Sequence, residues 1–299
     1  MSYSATILAD SLSPDGVRLT TLEVTFPRFI LAEVNTHRML SRNSASSRAI
    51  PTEKIIERVR ENPFVPETFN QRIKGMGVGD PMVDVDAMNA RSAWMVAMYD
   101  ATKSAERLVE LNVDKSRANR LLEPFMWHTA IISATDWDNF FALRDHEAAQ
   151  PEFRITAQAM KRAMAESDPL RLEDGEWHLP LVDLGSEFIE AKETGHWEYW
   201  ALISASRCAR VSYNRQHDDE GYERTQARAQ KLKTSGHLSP FEHPARPLLE
   251  SDLAWQDLEL PANEAYVGNF RGWYQMRKMI PGEANFAEAV RMASQSEEV

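Results

Sequence analysis

The residues best equipped for chemistry lie between Glu33 and Glu53, where no acid appears. His37, Arg38, Arg42 and Arg48 fall within twelve residues, with Ser41, Asn43, Ser44, Ser46 and Ser47 among them. Guanidiniums, hydroxyls and free backbone N–H groups together are what a phosphate needs. The chain carries a formal charge of −11. A local cationic pocket would reverse that field at short range for an anionic ligand. The same residue types also fit a solvated loop with capping serines.

A second group lies at 117–150. Arg117, Arg120, His128 and Arg144 alternate with Leu121, Leu122, Phe125, Trp127, Phe140, Phe141 and Leu143. An arginine beside an aromatic face can read a planar base by stacking and by its fixed fork of donors. The competing reading is an ordinary helix-end arginine. A third group, Gly236 to Pro244, holds His237, Ser239, Glu242 and His243 around fixed turns. The spacing of its two histidines is not that of a zinc-binding helix, so no metal site is predicted.

The elements that must position these groups follow from hydrophobic period. Residues 17–34 read as strand, with Pro27 as a break. A short helix is expected at 53–61 and a long loop at 62–86. Apolar spacing from Trp94 to Leu108 predicts a helix over 87–112. Further helices are expected at 115–133 (interrupted near Pro124), 136–143, 151–166, 185–208 and 220–233. Arg210 to Tyr213 reads as a short strand, and 266–279 as a final aromatic and basic stretch.

The 299 residues, 43 % hydrophobic and 26 % charged, have ordinary globular usage, which excludes a disordered chain, a collagen and a coiled coil. A single cysteine, Cys208, excludes a disulfide framework and, in its Ala-rich context, reads as core rather than nucleophile. No apolar run approaches the roughly 20 residues that span a bilayer. Met1 to Asp10 has no basic n-region, so no signal peptide and a cytoplasmic location are expected. The acidic balance argues against polymeric nucleic acid as partner. Phosphate-binding P-loop, dinucleotide-fold and nucleophile-elbow motifs are absent. An enzyme of this kind would borrow its hard chemistry from a cofactor.

These segments resemble the flavin-dependent thymidylate synthases. That family's signature is Arg-His-Arg, seven residues, then Ser. Here Thr36-His37-Arg38 is followed by seven residues and Ser46, with Asn43 and Arg48 at the matching offsets. Arg120-Leu-Leu-Glu-Pro resembles the family's substrate-binding Arg ahead of Leu-Pro. Asn139-Phe-Phe-Ala-Leu-Arg144 resembles Asn-Phe-Leu-x-Leu-Arg, and Ala149-Gln-Pro-Glu152 resembles Ala-Gln-Trp-Glu. Cys208-Ala-Arg-Val-Ser-Tyr213 and Gly236-His-x-Ser-Pro-Phe-Glu-His243 match motifs that stand ahead of the signature in the family and after it here. The motif order is therefore permuted. An echo at Arg271-Gly-Trp-Tyr-Gln-Met-Arg277 suggests duplication and fusion, which would place matching strands at 22–38 and 262–277.

The resemblance implies an α+β fold, a mixed or antiparallel sheet flanked by helices, as one fused domain over 1–299. Residues 1–184 would carry the signature and substrate arginines, and 185–299 the two displaced motifs. It implies a homo-oligomer binding FAD, with methylene-tetrahydrofolate and NADPH as co-substrates. The reaction would transfer a one-carbon unit to C5 of dUMP, giving dTMP. By carry-over, Ser46, Arg48, Arg120 and Arg144 would hold the nucleotide, with Arg144 and Ser46 nearest the chemistry. His37, Arg38, Asn43, Asn139, Ser212, His237, Ser239 and Glu242 would contact flavin. Thr36 and Ser44 depart from the family's Arg and Glu, and Glu33 stands where Gln is common. A carboxylate there could accept from a cytosine amine. This motivates an alternative, dCMP C5 methylation or hydroxymethylation as in hypermodified phage DNA. A non-catalytic nucleotide-binding relative, or a structural protein with a merely solvated Arg/Ser loop, are the other classes.

Overall fold

The computed structural model describes residues 1–254, 261–280 and 285–294. Strands β1 (Ser4–Leu12) and β2 (Arg18–Pro27) pair as an antiparallel hairpin. Its turn uses Gly16 at φ +82°, a left-handed conformation that only glycine takes cheaply. With β3 (Ser41–Ser44), β4 (Trp127–Ala134) and β5 (Leu170–Arg171) they form a sheet in the order β3-β4-β2-β1-β5, in which only β1 and β5 run parallel. A second, smaller sheet joins β6 (Ala245–Pro247), β7 (Tyr266–Val267), β8 (Phe270–Arg271) and β9 (Trp273–Gln275) in the order β6-β9-β7-β8.

Helices α1 (Leu31–Val34), α2 (Thr52–Glu61), α3 (Asp84–Glu110) and α4 (Lys115–Ala118) lie between β2 and β4. Helices α5 (Asp138–Arg144), α6 (Pro151–Ala165), α7 (Glu187–Thr194), α8 (Trp197–Ala209) and α9 (Tyr222–Thr234) follow. Short α10 (Glu250–Ala254) and α11 (Phe286–Ser294) close the described chain. This is the mixed α+β architecture, sheets flanked by helices, that the resemblance implied.

The sheet's two faces are both covered, and by different chemistry. Side chains alternate along a strand. Leu22, Val24 and Phe26 of β2, with Ala130, Ile132 and Ala134 of β4, pack against Phe153, Ala157 and Met160 of α6. Pro151 at the first turn presets the α6 backbone. The intervening positions are mostly polar, apart from Ile131, which packs with Cys208 and Val211. Thr21, Thr25, Thr129 and Ser133 are buried, and so are Ser41 and Asn43 of β3. Onto this hydroxyl-lined side folds the C-terminal half. Its own core gathers Trp200, Ile203, Phe241 and Trp273 with Val17 and Leu19. Buried hydroxyls need partners, and a continuous row supplies them. His178 Nδ1 meets Ser11 Oγ at 2.9 Å, and His178 Nε2 meets Thr21 Oγ1 at 2.7 Å. Thr21 Oγ1 then meets Ser133 Oγ at 2.6 Å, which meets His243 Nδ1 at 2.8 Å.

Some elements differ from the expectation. The strand expected to 34 ends at Pro27, and 28–34 turns through a 3-10 turn into α1. The helix expected over 115–133 ends in a 3-10 turn at Phe125, and the β-branched run that follows is β4. Residues Arg210–Tyr213 form a 3-10 turn rather than a strand, capped by Asn214 in a left-handed conformation. β1 and β3 are strands that hydrophobic pattern did not announce. Residues 22–38 and 262–277 form different structures, a long strand with helical turns in one and three strands of two or three residues in the other.

Candidate functional site

Strand β3 is where the remote segments meet. It is a polar strand, Ser-Arg-Asn-Ser, and it forms because β4 offers its free edge at Ser41↔Ser133 through Ser44↔Ala130. Upstream, Arg42 donates to the carbonyls of Val34 (3.1 Å) and His37 (2.7 Å), which closes the turn that leads into the strand. Downstream, Asn119 donates through its amide to the carbonyls of Ser47 and Ile50 (3.0 Å) and pins the 45–50 loop. Ala45 N–H donates to Thr129 O at 2.9 Å.

Each displaced motif touches this segment. Ser46 N–H donates to the Ser212 carbonyl at 3.0 Å. Ser41 Oγ accepts from Gln275 Nε2 (2.9 Å) and Asn269 Nδ2 (3.1 Å), and Gln275 Nε2 also donates to the Glu242 carbonyl at 2.9 Å. Glu242 is ion-paired with Arg277. From the central group, Arg144 Nε donates to His37 Nε2 at 2.8 Å, and its guanidinium lies over the Phe153 ring at 4.5 Å. Burial, then the charges of Arg144 and Arg42, push the His37 imidazole down to about 4. It is therefore neutral at pH 7, with Nε2 accepting and its proton on Nδ1.

The other expected residues are more dispersed. Arg38, Arg48, Asn139, His237 and Ser239 are exposed, on segments that belong to or pack near the β3 junction. His237 Nδ1 meets Ser235 Oγ at 2.9 Å. Asn43 is buried within β3. Thr36 Oγ1 donates to the Glu33 carbonyl at 2.6 Å, and Glu33 Oε2 is buried without a hydrogen-bond partner among the described residues. Arg120 points outward and pairs with Glu123 at 2.7 Å.

The structure adds a residue that the spacing did not single out. Arg28 follows the strand break at Pro27, and its guanidinium is almost fully buried. It pairs with Glu123 (2.9 Å) and donates to Ala45 O (3.3 Å) and to His128 Nδ1 (2.8 Å). A cation just behind the signature loop was legible only as one arginine among many. Arg28, Ser46, Ser47, His128 and Asn214 line a pocket of about 200 Å³ whose other walls are largely apolar. Arg144 and His37 do not line it; they sit toward the Ser41 end of β3, whereas Ser46 lies beyond its Ser44 end. Among the described residues no cluster of His, Cys, Asp or Glu could hold a metal ion, and no helix is long and apolar enough to cross a membrane.

Comparison with known proteins gives two findings. The family described as thymidylate synthase complementing protein matches residues 17–170. Among solved structures, the UMP/dUMP methylase PolB from Streptomyces cacaoi bound with 5-Br dUMP is 20 % identical, over 52 % of this chain and 67 % of that one, at a TM-score of 0.42. The same methylase bound with 5-Br UMP is 18 % identical, over 57 % of this chain and 90 % of that one, at 0.45. No curated protein sequence matches.

Proposed function

The chain belongs to the thymidylate synthase complementing protein family, whose match takes in half of its length, and on that premise we propose that it methylates C5 of a pyrimidine nucleotide, dUMP to dTMP, with FAD, methylene-tetrahydrofolate and NADPH. One observation carries the reading. Segments around His37–Arg48, Arg144, Ser212 and Glu242, remote along the chain and out of the family's order, are joined by hydrogen bonds at one short strand.

The donors present fit an anionic flavin dinucleotide. Arg38, His237 and Ser239 are exposed on segments around β3, and Asn43 and Ser212 lie closer in, while the Glu242 carboxylate, an acceptor, is paired with Arg277. Bound there, the reduced flavin would supply the hydride and the folate the one-carbon unit. The chain's own work is positioning and electrostatics. Ser46, in the pocket wall, and exposed Arg48 offer a hydroxyl and a cation to the nucleotide. Arg28, held by Glu123, places a buried positive charge behind that loop. Burial, helped by the Arg144 charge, keeps His37 neutral, and the hydrogen bond from Arg144 fixes its orientation. No protein nucleophile is needed, and Cys208 is fully buried.

Purified protein is expected to be yellow, with a flavin band at about 450 nm, and to form dTMP from dUMP when supplied with the folate and NADPH. A parallel reaction with dCMP tests the cytosine alternative. Protein that takes up no FAD and turns over neither nucleotide would refute the reading.

A further inference from the structure

Helix α3 is apolar on two opposite sides. Its inner side, with Trp94, Met98, Ala101 and Ala105, packs on a cluster that includes Ile55, Val59 and Phe125, which also wall the pocket beside Ser46. Its outer side faces solvent. There Val85 is 66 % exposed, Met88 70 %, Val96 57 % and Tyr99 57 %. With exposed Ser92 these residues fall at steps of three, four, four and three along the helix. Such steps keep to one line on a helix surface, here about 21 Å long. A helix that is apolar on every side is one that is covered on every side, and an exposed apolar patch marks an interaction surface.

The flanking Asp84 and Asp100, and a chain charge of −11, give an anionic bilayer nothing to hold, so the cover is protein. The steps also read the same in both directions from Ser92. Turned end over end about that residue, the stripe meets itself, apolar on apolar. Val85 comes to face the partner's Tyr99, and Met88 the partner's Val96, while the two small Ser92 side chains let the helices approach. This is the self-complementarity that a two-fold interface requires. The four apolar side chains expose roughly 450 Å² per copy, so two such stripes, with Asn89 and Ser92 beside them, reach the ~1,000 Å² total that a specific interface has to clear. We propose that α3 is a homodimer interface, in which the outer stripes of two copies pack antiparallel across a two-fold axis at Ser92. The pairing braces α3 from behind and so backs one wall of the pocket beside Ser46. It does not depend on the reaction proposed above.

Sedimentation velocity on the full chain, across the micromolar range, tests it. The wild type is expected to show a reversible monomer–dimer equilibrium. Met88→Lys and Val96→Glu change exposed side chains and leave the core of each copy untouched, which an unchanged circular dichroism spectrum verifies. Each buries a charge against an apolar side chain of the partner, and each should weaken the dimer by roughly tenfold or more. The double variant should recover most of that loss, because the new ammonium of each copy then faces the new carboxylate of the other. Within one copy the two positions are more than two turns apart and cannot pair. A wild type that stays monomeric throughout would overturn the proposal. So would single variants that associate as the wild type does, which would put the contact on another face. A double variant no tighter than either single one would overturn the antiparallel two-fold at Ser92.

Discussion

Acidification should destabilise this protein well before most of its carboxylates titrate. His128, His178 and His243 are buried, and burial pushes each imidazole down to about 3. In the unfolded chain each would titrate near 6.5. Below that pH the unfolded state binds a proton at each histidine and the native state does not, so stability is complete above 6.5 and falls as pH drops toward 3. Each histidine costs about 1.4 kcal/mol per pH unit in that window. Going from pH 7.5 to 5.5 then removes about 4 kcal/mol over the three. Spread over the unfolding entropy of 299 residues, that is a fall of about 6 °C in Tm. His37, half-buried beside Arg144, adds a smaller, solvent-screened contribution of the same sign. Carboxylates held low, such as Asp145 and Asp183, begin to matter only nearer their own range, below this window. The assay is thermal melting by tryptophan fluorescence at pH 7.5, 6.5 and 5.5. A double variant, His178→Gln with His243→Gln, should lose about two-thirds of the slope. A midpoint that moves less than about 2 °C between pH 7.5 and 5.5, or a slope undiminished in the double variant, would refute the reasoning.

Arg207 grips both oxygens of the Glu187 carboxylate at 2.6 Å, against burial that would otherwise raise that carboxyl. Arg207→Met should cost about 3 kcal/mol in chemical denaturation, because it strands a buried charge. Gly272 has φ +71°, and a Cβ there would come within 2.9 Å of Val17 Cγ2. Gly272→Ala is expected to destabilise by about 2 kcal/mol or more, measured by the urea midpoint. Cys208 is fully buried, and burial pushes its thiol far up. It should react with an aromatic disulfide reagent only after denaturant is added; prompt labelling of native protein would contradict its placement in the core.

What could be read from the residues depended on whether local pattern or distant partners decided the outcome. The helices at 84–110, 151–165 and 222–234 carry their own period, and Pro27 ended a strand as its missing N–H requires. Ser41–Ser44 has no hydrophobic face to announce a strand; it is one because β4 pairs with it. Trp127–Ala134 follows a helical run, and the β-branched Thr129, Ile131 and Ile132 were the signal that outweighed continuity. Arg210–Tyr213 closes a helix by tightening its last turn. At the site, internal motif spacing named His37, Ser46, Arg144, Ser212 and Glu242, whose segments are hydrogen-bonded at or next to β3. It could not find Arg28 or Asn214, which matter through a pocket assembled by tertiary contact.

The buried row from Ser11 to His243 has a consequence beyond holding the two halves together. Its interior members each have one hydrogen to give and two neighbours to face. If His178 gives to Thr21, then Thr21 must give to Ser133 and Ser133 to His243, and the hydrogen of His243 is left on Nε2. If Thr21 gives to His178 instead, every link reverses and Nε2 of His243 is bare. The row therefore has only two consistent directions. Whatever comes to face His243 Nε2, beside Glu242, sets which ring nitrogen of His178 carries its hydrogen on the far side of the sheet, without any atom heavier than hydrogen having to move.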